Sequence, residues 1–172
     1  MPDPTLPRDG PRIVVGGRAR ANLVAELRRA GIHLNEYAET LLADAAFERA
    51  EAPTEIAFVD RSVAELGLPN GGTLADVFGA ARAAGLDLCP PQAGPYLRFA
   101  TLAQASAPDS VMNAGRAPSA SLTVASAPLR LDDDYPKGFY LRVVDGVPWL
   151  RGYRCDDEHV FAPEDRLVFR MP

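Results

Sequence analysis

The sequence predicts an α+β fold, with N-terminal helices packed against a mainly antiparallel C-terminal β-sheet. Three observations predict it. Apolar residues recur at helical spacing through residues 13–90, they alternate with period two through much of 91–172, and an Asp145-Gly146 pair between β-branched residues marks a hairpin. Helices first and strands later, with no internal repeat, is the order of an α+β fold. Residues 1–12, polar and proline-rich, read as a disordered lead-in to one domain over 13–172.

The elements follow from local chemistry. In "ARANLVAELRRAG", Leu23, Val24 and Leu27 form one stripe, Arg20, Arg28 and Arg29 face water, and Gly31 stops the helix. "NEYAETLLADAAF" has Asn35 as N-cap, Glu36 and Glu39 to complement the helix dipole, and a core stripe of Tyr37, Leu41, Leu42 and Ala45. "EIAFVD" reads as a strand. Ser62 and Glu65 form a capping box for a short helix ended by Gly67, and Thr73 and Asp76 repeat the device. The second of these helices carries Leu74, Val77, Phe78 and Ala81 on one face. "YLRFATL", "SLTVAS" and "RLVFR" read as strands, and 104–119, rich in Ala, Ser and Pro, as a long mobile loop.

The stretch "GFYLRVVDGVPWLRGYR" carries the densest chemistry. A two-residue type I′ turn at Asp145-Gly146 sets Arg142 opposite Trp149, Leu141 opposite Leu150 and Tyr140 opposite Arg151. Alternation then puts Phe139, Leu141, Val143, Pro148 and Leu150 on a core face, and Tyr140, Arg142, Trp149, Arg151 and Tyr153 on the other. Pro148 falls at a non-hydrogen-bonded pair, which expects the strand from 147 to be an edge near its start. The cross-strand Arg–aromatic pairs are worth about 0.5–1 kcal/mol each when exposed. Two readings of this face stand side by side. Either the pairs satisfy one another and cover the sheet, or they form a recognition surface bordered by Arg98, Lys137 and His159.

Composition narrows the classes. The chain has 172 residues, net charge −5, 47% hydrophobic residues and two cysteines. That balance fits a globular protein, disfavours broad nucleic-acid binding and rules out a disulfide framework. No secretory signal and no apolar run of about 20 residues is present, so a cytoplasmic protein that does not enter membranes is expected.

Other chemistry is sparser. His33 and His159 are the only histidines; His33 reads as a packing residue in an inter-helix turn. His159 follows Asp156, Asp157 and Glu158, and with Asp132, Asp133 and Asp134 could build an acidic metal site, although solvated loop charges are the simpler reading. Cys89 reads as a buried small hydrophobe. The glycines of "VVGGRARANL" could admit an anion at a helix start, but the phosphate-loop spacings are missing. The sequence names no cofactor and assigns no metal ligand.

The segments "GIHLNEYAETLLAD", "LGLPNGGTLADVF", "GPYLRF", "LTVAS" and "PKGFYLRVVDGVPWLRGY" together resemble a family of small uncharacterised bacterial proteins often labelled helicases. The resemblance spans about residues 22–169 and implies a shared fold, with no mechanism attached. Tyr96 stands where the family pattern has His. The single lysine, Lys137, lies outside any phosphate loop, so the helicase label describes no activity of this chain.

The functional expectation is a binding or interaction module whose partner is a protein or a small molecule, acting through Arg98, Lys137, Tyr140, Arg142, Trp149, Arg151, Tyr153 and His159. Two alternatives remain: a small metal-dependent hydrolase or lyase around His159 and Asp157, and single-stranded nucleic-acid binding by stacking, which the net acidity disfavours.

Overall fold

The computed structural model describes residues 10–107 and 120–172. Most of the predicted lead-in and of the 104–119 loop therefore lies outside the described residues. In chain order the elements are β1 (Arg12–Val15), α1 (Arg20–Arg29), β2 (His33–Leu34), α2 (Glu36–Leu42), β3 (Thr54–Ser62), β4 (Gly72–Thr73) and α3 (Leu74–Ala83). There follow α4 (Ala93–Ala100), β5 (Ser106–Ala107), β6 (Leu122–Val124), β7 (Gly138–Val144), β8 (Val147–Tyr153), β9 (Val160–Phe161) and β10 (Arg166–Arg170).

The strands form a curled sheet in the order β1-β3-β10-β6-β7-β8-β2, with β5 beside β7, and β4 pairs with β9 separately. The sheet is mixed, not mainly antiparallel. β6 runs parallel to β10, β2 parallel to β8 and β5 parallel to β7, while β1/β3, β3/β10, β6/β7 and β7/β8 are antiparallel. The first half supplies three of its strands, so the α+β class holds in a coarser form than predicted. The parallel pairs join segments far apart in the chain, which local periodicity cannot reveal.

Both faces of the sheet are covered. Leu23 and Leu27 of α1, Leu41 and Leu42 of α2, and Tyr96 and Leu97 of α4 pack with Phe58, Leu122, Phe139, Leu141, Leu150 and Val168. On the other face Val77, Phe78 and Ala81 of α3 pack with Val59, Ala125, Leu167 and Phe169. Both predicted capping boxes form: Ser62 and Glu65 exchange hydrogen bonds, as do Thr73 and Asp76. Cys89 is buried and donates to Val168 O at 3.3 Å, and burial pushes its thiol well up.

Three local expectations are corrected. "YLRFATL" is not a strand, because most of it is the C-terminal part of α4. Its aromatic and branched composition favours a strand, but Ala93, Tyr96 and Leu97 recur at helical spacing and all reach the core. Pro95 sits in the first turn, where its missing N–H costs nothing. A Cβ on Gly94 would come within 2.5 Å of the Phe139 ring, so glycine lets α4 lie directly on β7. Arg20 does not face water: its guanidinium donates to the carbonyls of Leu42, Ala43 and Asp44 at 2.8, 2.9 and 2.7 Å, terminating α2. Ala45 is exposed, and Ala38 takes its expected place in the core.

Asp44 ties this corner to the later chain. Its carboxylate accepts from Ala46 N at 3.0 Å and from the Tyr135 hydroxyl at 2.7 Å, with Arg130 at 3.4 Å. The Ala46 amide first, then the tyrosine and arginine, hold the carboxyl below its usual range. Burial first, then the Asp44 carboxylate, pushes the Tyr135 hydroxyl up to about 12. The lowered carboxyl adds stability above its unfolded value of about 4, and that contribution disappears as pH falls through the folded value. The raised phenol adds stability below about 10, and this is lost as pH rises toward its folded value. Thermal melts across pH are expected to show both limbs flattened in Tyr135→Phe. A Tyr135→Phe profile matching the parent at both ends would refute the coupling.

Candidate functional site: the β8 edge of the hairpin

The hairpin has the predicted register. Arg142 pairs with Trp149, Leu141 with Leu150 and Tyr140 with Arg151. Asp145 and Gly146 have φ values of 50° and 76°, the left-handed pair that a type I′ turn requires. Phe139, Leu141, Val143 and Leu150 are buried, as expected for the core face.

The opposite face is not one open surface. Arg142 is fully buried and Tyr140 is 3% exposed, whereas Trp149, Arg151 and Tyr153 are half-buried. The alternation was legible, but whether a second layer covers the outer face depends on long-range packing. Tyr153 points its ring at Phe161, centroids 6.5 Å apart, and joins the α3-side cluster. Its hydroxyl is buried with no hydrogen-bond partner among the described residues, and burial pushes its pKa well up. The expected Arg–aromatic pairing is also corrected: Arg151 stacks on Trp149, two residues back on its own strand, at 4.2 Å. Side chains two apart in a strand share a face, and the cross-strand Tyr140 is buried.

The remaining predicted residues do not converge there. Arg98 is fully buried on the α4 side of the sheet. Its guanidinium donates to Arg142 O and Trp149 O at 3.2 and 3.1 Å and to Thr101 O at 2.6 Å, pinning the end of α4 to the hairpin. Burial lowers its pKa to about 10, still far above neutrality, so a cation is held here by carbonyl oxygens. Lys137 is buried at the other end of β7, where its ammonium reaches Asp133 at 3.4 Å.

His159 packs its ring on Phe161 at 4.9 Å, and its backbone N–H donates to Asp156 Oδ1 at 2.8 Å. Asp156 thereby closes a turn, and Asp157 and Glu158 are exposed. Asp132 closes another turn, and Asp134 reaches Arg154 at 3.9 Å. Among the described residues no group of three or more His, Cys, Asp or Glu is placed to hold a metal ion. The glycine entry to α1 is shaped by close backbone approach: a Cβ on Gly16 would lie 2.8 Å from Ala52 O.

One residue that the sequence reading placed elsewhere belongs to the site. His33 is not in a turn but in β2, paired with Trp149, and its exposed ring meets the indole at 5.0 Å with an interplanar angle of 68°. A two-residue strand carries no periodicity, so the sequence held no signal for this. Asn35 fixes the arrangement. Its side chain accepts from Ala38 N at 2.9 Å as the N-cap of α2, and exchanges hydrogen bonds with Gly152 N and O at 2.8 and 3.0 Å. The amide thus extends the β2 ladder along β8, while Pro148 has no N–H to satisfy. The predicted edge is present near Val147 and is closed from Trp149 onward.

The resulting patch is Trp149 with Arg151 over the indole and His33 beside it. Among the described residues no carboxylate pairs with Arg151, whose Nε is buried without a hydrogen-bond partner. Arg28 and Arg29, exposed on the last turn of α1, precede His33 by only a few residues and also form no ion pair. The patch can offer guanidinium donors and an aromatic edge to a ligand. No family model, curated protein or solved structure matches the chain. No helix among the described residues is long and apolar enough to cross a membrane.

Proposed function

We propose that this chain is a binding module of the bacterial cytoplasm whose contact surface is the Trp149–Arg151–His33 patch. The observation that carries this reading is a Trp–Arg stack held at a braced strand edge, where among the described residues no carboxylate pairs with Arg151. Tryptophan and arginine contribute more than other residues to the energy of interfaces, because each combines large area with directed donors. The buried members of the predicted set, Arg98, Tyr140 and Arg142, support the hairpin from within. Kinship with the helicase-labelled family belongs to the same proposal and adds no activity to it.

The test is site-specific photocrosslinking in cells that express the chain. His33→p-benzoylphenylalanine is expected to yield a discrete adduct, and the same replacement at Arg82, exposed on α3, none. Adding Arg151→Ala should suppress the adduct without lowering the melting temperature by more than a few degrees. Equal labelling from both positions, or none from position 33, overturns the reading.

A further inference from the structure

Resting on that reading, we infer that the patch takes an acidic peptide segment, with a Glu or Asp carboxylate received by Arg151 beside the Trp149 and His33 rings. Charge complementarity carries the inference. Among the described residues Arg151 forms no ion pair, whereas Arg12, Arg18, Arg130, Arg154, Arg166 and Arg170 each have a carboxylate partner. In a chain of net charge −5, a strand-edge arginine with no carboxylate partner among the described residues carries a local field that extends about 8 Å at physiological salt.

A nucleic acid fits less well. Arg151 already lies 4.2 Å over the indole, so a base would have to displace it in order to stack there. A polyanion with a charge on every nucleotide would also meet the acidic remainder of the protein, while a peptide can place one or two carboxylates on the patch alone. A guanidinium held over a ring is pre-organised for a carboxylate, since little side-chain entropy remains to be lost on contact.

Trp149 is the only tryptophan, so its fluorescence reports on the patch directly. The full chain is titrated with an oligo-glutamate peptide, a neutral Gly-Ser peptide and oligo-dT. A saturable, salt-weakened change with oligo-glutamate alone is expected. Arg151→Gln should weaken it by about tenfold or more, the loss typical of one charge-assisted hydrogen bond, and Arg82→Gln should leave it unchanged. His33→Ala, at an exposed position, provides an independent variant should Arg151→Gln fold poorly, and is expected to weaken binding too. Undiminished affinity in both patch variants overturns the inference. Saturation by oligo-dT but not oligo-glutamate overturns the acidic-peptide assignment and keeps the binding module. Silence from all three probes with a persistent crosslink at position 33 has the same meaning, and silence in both experiments removes both proposals.

Discussion

Gly152→Val is expected to destabilise the protein by about 3 kcal/mol or more, the upper range for overpacking a closely packed site. A Cβ at this position would lie 2.7 Å from Tyr37 C, 2.8 Å from Tyr37 Cβ and 2.9 Å from Ala38 N. Two of these atoms are backbone, so no rotamer change relieves the contact and α2 must move away from β8. That movement also breaks the Asn35 bridge. Denaturant unfolding should show a large drop in midpoint, with Gly152→Ala intermediate because the same Cβ clash applies with less bulk. An alanine variant within about 0.5 kcal/mol of the parent, the range of ordinary surface changes, would refute the close approach.

Asn35→Ala should cost about 2–3 kcal/mol, combining a lost helix cap of about 1 kcal/mol with unsatisfied backbone groups on Gly152. One side chain serves three backbone groups, on Ala38 and on both sides of Gly152. Substitutions separate these roles. Asn35→Asp keeps the acceptor for Ala38 N and Gly152 N but loses the donor to Gly152 O, so it should fall between Asn and Ala. Asn35→Ser, with a shorter reach, should recover only the cap. Equal stability of the Asp and Asn proteins would show that the Gly152 O bond contributes nothing.

What was legible in the sequence was local. The hairpin register followed from Asp145-Gly146, and the capping boxes from residues three apart, because the partners in each case are set by a single turn of chain. Asn35 as an N-cap was equally legible. Its contact with Gly152, more than a hundred residues away, was not. The same limit explains the site. Trp149 and Arg151 were identified from strand alternation, but the covering of Tyr140 and Arg142, the burial of Arg98 beneath the hairpin and the arrival of His33 beside Trp149 all depend on which layer meets which. α4 was misread because its composition favours a strand while its apolar spacing is helical, and the spacing prevailed once a core existed to receive it.

The place of β10 in the sheet bears on how the chain is made. It lies between β3 and β6, so β1 and β3 join the hairpin side of the sheet through residues 166–170. Without β10, one edge of β3 and one edge of β6 have no partner strand in this sheet. Until that strand is in place the two edges are open to pairing with other chains, and closure across so many residues is intrinsically slow.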